Sequence, residues 1–246
     1  HKEHVAKNRT IAATTSKDGA VVADCRICGE TFKTVKTIAK IKAVSLSSSS
    51  YTYDGSAKKP GVTVTDANGA KIASSNYSVA YSNNVKKGTA TATVTFKGNY
   101  SGTVKKTFKI NPAKVSNVKL SSTSYTYNGK TKTLGVTVKD KKGRKLKKGT
   151  DYTVKYSSGR KNVGRYAVKV TFKGNYTGSK TVYYYIVPKS TSISRVSALR
   201  KGFKLSWKKQ KTQTTGYQIQ YSTSKKFKKA KAVNVSKNKT TSKYIK

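Results

Sequence analysis

Apolar and polar residues alternate along most of this chain with a period of two, the signature of strands that bury one face. Tyr152, Val154 and Tyr156 are spaced to face inward, with Thr153 and Lys155 outward. Val168, Val170 and Phe172 alternate in the same way with Lys169, Thr171 and Lys173. Turn chemistry punctuates these runs. Asn68-Gly69 and Lys142-Gly143 predict hairpin tips, and Gly98-Asn99 and Gly174-Asn175 predict turns before a last strand, since glycine reaches the positive φ that such turns require. No stretch has helical spacing. No apolar run approaches the roughly 18 residues of a membrane span, so no membrane insertion is expected.

The pattern occurs twice. Tyr51-Thr-Tyr-Asp-Gly55 matches Tyr125-Thr-Tyr-Asn-Gly129, and Gly61-Val-Thr-Val64 matches Gly135-Val-Thr-Val138. Tyr77-Ser-Val-Ala-Tyr81 matches Tyr152-Thr-Val-Lys-Tyr156, and Val94-Thr-Phe-Lys-Gly-Asn-Tyr-Ser-Gly102 matches Val170-Thr-Phe-Lys-Gly-Asn-Tyr-Thr-Gly178. Each copy ends in an aromatic-rich run and a proline, Pro112 and Pro188. Six or seven short strands in about 70 residues predict a small antiparallel sandwich. The fold class expected is therefore all-β, with tandem small antiparallel Ig-like β-sandwiches behind a short amino-terminal β-hairpin or zinc-ribbon-like module. The domain boundaries expected are 1–41, 42–112, 113–188 and 189–246.

These two copies resemble the MBG-type bacterial Ig-like repeats of Firmicutes surface proteins. The resemblance rests on Tyr-x-Tyr-Asp/Asn-Gly, on Asp151-Tyr152-Thr-Val and on Phe-Lys-Gly-Asn-Tyr-Ser/Thr-Gly; Asn76 stands in the first copy where Asp151 stands in the second. It implies a secreted or cell-surface tandem module, a stalk or spacer in some proteins and a glycan binder in others, with no catalytic residues. From Ser192 the pattern changes. Val196-Ser-Ala-Leu199, Phe203-Lys-Leu-Ser-Trp207 and Gly216-Tyr-Gln-Ile-Gln-Tyr221 resemble the first three strands of a fibronectin type III domain, with Trp207 as its core tryptophan. The last two strands of that family are not present, which predicts an open core completed by further chain past Lys246 or by a partner. The lack of methionine likewise predicts a piece of a longer protein, with any export signal upstream of His1.

The amino-terminal stretch carries different chemistry. Cys25-Arg-Ile-Cys28-Gly resembles one knuckle of a zinc ribbon, and His1 and His4 complete a Cys2His2 set. A structural zinc, a disulfide and a redox-active pair all stay open here. The redox reading expects a helix start within a βαβ unit, which nothing in the sequence offers.

Charge changes the picture most. The chain holds 53 Lys and Arg against 8 Asp and Glu, a formal net charge of +45. Such a field attracts polyanions. Lysine dominates, and lysine is a hydrated point charge rather than the planar fork that reads bases. The exported-type repeats also speak against nucleic acid and for an anionic cell-wall polymer or a host glycan. The basic cluster around Lys141, Lys142, Arg144 and Lys145 is the candidate contact, weighed against a solvated hairpin tip. Tyr183 and Tyr185 form a second candidate. Phe108 and Ile110 align with Tyr184 and Ile186 as inward residues, so Tyr183 and Tyr185 take the outward places of Thr107 and Lys109. Packing against a neighbouring domain is expected of them, with stacking on sugar as the alternative. No triad, phosphate loop or acidic calcium cluster is present, so no enzyme is expected. The chain is expected to be monomeric.

Overall fold

The computed structural model describes residues 6–246. They fall into two compact units, one running up to Lys114 and including Lys173–Thr177, the other made of Val115–Phe172 and Gly178–Lys246.

The first unit opens with an antiparallel sheet of β1 (Ala6–Ile11), β2 (Gly19–Cys25) and β3 (Thr31–Ile38) in the order β1-β2-β3. This is a three-stranded sheet rather than the expected hairpin. The extra strand, β1, is wholly exposed and carries no apolar alternation. Backbone pairing holds it to β2, helped by Arg9 Nε at 2.6 Å from Asp24 Oδ2. Hydrogen bonds from Arg9 and Thr31 hold the Asp24 carboxyl below the usual carboxylate range.

The first repeat follows with β4 (Ile41–Leu46), β5 (Ser50–Thr52), β6 (Val62–Asp66), β7 (Tyr77–Ser82), β8 (Gly88–Phe96) and β9 (Thr103–Asn111), then a two-residue strand β10 (Ala113–Lys114). A β4-β6 pair faces a four-stranded sheet of order β5-β9-β8-β7. Ile41, Val44, Val64, Ile72, Val94 and Phe96 form one buried cluster, and Ala90, Phe108 and Ile110 a second. A fully buried valine such as Val94 contributes about 1.5–3 kcal/mol. One difference from an all-antiparallel sandwich is that the edge strand β5 pairs with β9 in parallel.

The second repeat reproduces this plan with β11 (Asn117–Leu120), β12 (Ser124–Thr126), β13 (Val136–Lys139), β14 (Tyr152–Tyr156), β15 (Gly164–Phe172), β16 (Tyr176–Thr177) and β17 (Ser179–Val187). Its sheets are β11-β13 and β12-β17-β15-β14, again with a parallel edge pair, β12 on β17. Val168, Val170, Tyr184 and Ile186 are buried, as the alternation predicts. Tyrosine hydroxyls bolt the two sheets at equivalent places. Tyr77 donates to the Val62 carbonyl and Tyr152 to Val136, each at 3.3 Å. Tyr81 donates to Pro60 at 2.5 Å and Tyr156 to Leu134 at 2.6 Å. Strand β16 pairs with β10, which is why the Lys173–Thr177 turn groups with the first unit.

The last stretch builds a sheet of β18 (Ile193–Leu199), β19 (Gly202–Trp207) and β22 (Ser242–Ile245), and a pair of β20 (Tyr217–Tyr221) with β21 (Lys231–Val235). The expected open core is found to be closed in part. Leu205, Trp207, Ile219, Val235 and Ile245 are all buried, because β22 returns to cover β19. Two glycines permit the approach. A Cβ at Gly202 would lie 2.1 Å from the Ile245 carbonyl oxygen, and one at Gly216 would lie 2.1 Å from that of Val235. What stays open is β18, where Ile193, Val196 and Leu199 are exposed.

Candidate functional site

Cys25 and Cys28 sit on the tight turn that joins β2 to β3. Cys25 is buried and Cys28 exposed. The Gly29 N–H donates to the Cys25 carbonyl, and the Ile27 N–H points at the Cys25 sulfur at 3.4 Å. The Cys-x-x-Cys spacing supplies two of the four ligands that a structural zinc would need. Among the described residues no three of His, Cys, Asp and Glu gather as a metal-holding group. His1 and His4 lie outside the described residues.

The basic cluster is an exposed hairpin tip, closed by a bridge between Lys139 and Lys145. Lys141, Lys142, Arg144 and Lys145 are exposed. Asp140 organises the tip from below and is itself buried. Its Oδ1 accepts the N–H groups of Lys142 and Arg144, each at 2.9 Å, and its Oδ2 accepts Arg144 Nε at 2.7 Å. Burial pushes this carboxyl up, but the bonds from Arg144 and Lys142 outweigh burial and hold it below the usual range. Arg144 is thus engaged in building the turn, which separates it from the three lysines as a binding residue.

Tyr183 and Tyr185 are 44% and 49% exposed on the outer face of β17. The last module touches the second repeat through Gln213, whose side chain accepts the Val163 N–H and donates to Asn162 Oδ1. The rings join a wider face that sequence reading missed. Arg165 lies over the Tyr183 ring, 3.6 Å from its centroid, a cation–π stack. Lys155 and Lys169 stand directly opposite each other on β14 and β15, and Val187 extends the tyrosine row. The aligned residues of the first repeat are Ala80, Thr89, Thr93, Thr107, Lys109 and Asn111. That comparison, made across strands rather than along one, is the signal that would have found Arg165.

A cleft of about 350 Å³ lies in the last module, lined by Ile193, Leu205, Trp207, Thr214, Gln218 and Ile219 among others. Trp207 Nε1 has no hydrogen-bond partner among the described residues. No helix among those residues is long and apolar enough to cross a membrane.

Fold and faces together define a class: tandem, non-identical β-sandwich repeats whose interiors hold strand-borne apolar residues and tyrosines. The chain belongs to the MBG domain family, which matches residues 42–114 and 116–190, more than half of its length. Among solved structures it is similar to domains 4 and 5 of the S-layer protein SbsC, with 16% identity over 75% of this chain and 96% of that one and a TM-score of 0.21. A second similarity is to domains 4–9 of surface layer protein SbsC, with 15% identity over 90% of this chain and 39% of that one and a TM-score of 0.19. No curated protein matches.

Proposed function

We propose that this chain is a non-catalytic, extracellular spacer segment of a bacterial surface protein, monomeric, with a fibronectin type III-like module after its two MBG domains. The observation that carries this reading is the tandem MBG pair. Both copies keep the same inward strand positions and the same tyrosine bolts, Tyr77 and Tyr81 in one and Tyr152 and Tyr156 in the other. A spacer needs stable folded length. The test is surface display of a terminal epitope on the whole chain and on a version lacking residues 42–188. Antibody access is expected to fall sharply in the shortened form. Equal access in both would overturn the spacer role.

The outer face of the second repeat favours a second reading, an adhesin-like module for an anionic cell-wall polymer or host glycan. Arg165, Lys155, Lys169, Tyr183 and Tyr185 combine cations with exposed rings, the pairing that an acidic sugar chain requires: charge for its carboxylates or phosphates, and flat apolar rings for its C–H faces. Retention on purified wall polymer and on heparin distinguishes the cases. Binding at this face weakens when Tyr183 and Tyr185 are both replaced by Ser. Diffuse attraction by the net charge of +45 responds to salt and ignores that change. Nucleic-acid binding is a third reading, carried by charge alone.

A further inference from the structure

The Phe-Lys-Gly-Asn-Tyr-Ser/Thr-Gly motif does more than reverse the chain. In the first repeat the turn uses up part of its own backbone: the Phe96 N–H donates to Gly102 O at 2.9 Å and the Tyr100 N–H to Lys97 O at 3.3 Å. Gly98 and Gly102 sit at φ +67° and +98° to make this possible. The Asn99 carbonyl and the Ser101 N–H are left over, two residues apart on one edge. An acceptor and a donor at that spacing form a template for one residue of a parallel strand.

Ala13 fills it. Its N–H donates to Asn99 O and its carbonyl accepts the Ser101 N–H, both at 2.9 Å. Ala13 is fully buried and comes from the connection between β1 and β2, before the repeat begins. The equivalent turn of the second repeat, Lys173–Thr177, does the same within the first unit. Ala113 donates to Asn175 O at 3.0 Å, and Ala113-Lys114 pairs in parallel with Tyr176-Thr177. The residue captured is alanine both times and belongs to the chain upstream of the capturing repeat both times. The second turn adds two contacts: Asn175 Oδ1 accepts the Lys87 N–H at 2.9 Å, and the Tyr176 ring meets Tyr53 edge-on at 5.4 Å between centroids. In the second unit Val163, the counterpart of Lys87, gives its N–H to another side-chain amide, Gln213 Oε1.

We infer that the Gly-Asn-Tyr turn of each MBG repeat is a strand-capture site whose partner is the backbone of the upstream segment, Ala13 for the first repeat and Ala113-Lys114 for the second. Around it, the loop N–H before the first glycine of the long strand, that of Lys87 or Val163, is a socket for an amide side chain. The assignment is independent of what, if anything, the chain binds. Two upstream stretches that share only their central alanine, Ala12-Ala-Thr and Pro112-Ala-Lys, are held by the same two-residue template.

Residue-resolved hydrogen exchange on the whole chain tests this. The Ala13, Ser101 and Ala113 amides are expected to exchange at least about tenfold more slowly than in unstructured chain, since exchange then requires the captured segment to leave. Asn175→Ala is expected to speed the Lys87 amide by about fivefold or more, the loss of one hydrogen bond. It leaves Ala113, bonded to the backbone of the turn, protected. Unprotected Ala13, Ser101 and Ala113 amides in the native chain would overturn strand capture. An unchanged Lys87 amide in Asn175→Ala, with the Val94 and Val170 amides still protected as a folding control, would overturn the socket.

Discussion

Replacing Asp140 by Ala removes the organising centre of the basic hairpin tip, and the same change at Asp66 in the first repeat is its natural control. Asp66 Oδ1 accepts the N–H groups of Asn68 and Ala70 at 3.0 and 2.9 Å, as Asp140 Oδ1 accepts those of Lys142 and Arg144. Asp140 differs in being buried and in receiving the Arg144 guanidinium. Two N–H bonds to a carboxylate on a partly wet turn are worth about 1–2 kcal/mol after the freed donors find water. The Arg144 pair adds about 0.5–1 kcal/mol, kept small because that side chain is 44% exposed. Asp140→Ala is therefore expected to cost about 1.5–3 kcal/mol and Asp66→Ala about 1–2 kcal/mol, with Arg144→Ala at about 0.5–1 kcal/mol. Urea titrations read by exchange of the Val138 and Val168 amides report the second repeat, and the Val64 and Val94 amides report the first. The pH dependence supplies an independent check. The folded-state pKa of Asp140 is depressed, so its contribution is complete above the ordinary carboxylate pKa of about 4 and is lost as pH falls through the lower folded value. The stability gap between wild type and Asp140→Ala shrinks on going from pH 7 to strong acid. A gap below about 0.5 kcal/mol at pH 7, or one that does not change with pH, refutes the reasoning.

Three further outcomes follow from the same geometry. Tyr156→Phe removes the hydroxyl that reaches Leu134 O and is expected to destabilise the second repeat by about 1 kcal/mol in denaturant titration, with no change in the exchange of the Val94 amide. Trp207 is the only tryptophan and is buried beside Tyr217, so emission of the native chain is expected to be blue-shifted and to move red in one step as the last module unfolds; emission typical of exposed indole in the native state counts against that core. A structural zinc at Cys25 and Cys28 predicts about one equivalent of zinc by elemental analysis of protein never exposed to chelator, lost in the Cys25→Ser and Cys28→Ser double variant; metal-free native protein removes the zinc reading and leaves the disulfide.

Strand positions and inward faces were legible because alternation is a local signal. Phe108, Ile110, Tyr184 and Ile186 fall on the core side as the period of two requires. What escaped depends on pairing between distant segments. The parallel edge strands β5 and β12 are three residues each, too short for periodicity to register, and they exist because β9 and β17 offer them an edge. Strand β1 is exposed throughout and lacks apolar alternation, and backbone bonds recruit it. Arg165 meets Tyr183 only through the β15–β17 register, which sets Arg165 opposite Tyr185 and Ala167 opposite Tyr183. Alternation marks Tyr183 and Tyr185 as outward, whereas the contact with the last module is decided by loops such as the one that carries Gln213.

The two repeats differ at inward positions such as Ala90 and Tyr166, and on the outer face at Ala80 and Lys155, Thr89 and Arg165, and Thr93 and Lys169. A strand in a sandwich alternates between a face fixed by packing and one on which any residue is tolerated, so duplicated copies drift outward first. Simple drift toward solubility would scatter lysines among threonines, as the first repeat does with Thr107 and Lys109. The second repeat instead sets Lys155 directly across from Lys169, an arrangement that costs about 0.2–1 kcal/mol between like charges. It also leaves Tyr183, Tyr185 and Val187 in water, where each forgoes the benefit of burial. The Arg165 stack covers only one of the rings. Charge repulsion and exposed rings on one sheet face are both relieved by the same kind of occupant, a chain with anionic groups and apolar ring faces. The first repeat has Ala80 and Thr93 at the lysine positions. The proposed spacer reading rests on the pair of sandwiches, and the proposed binding reading rests on the outer face of the second.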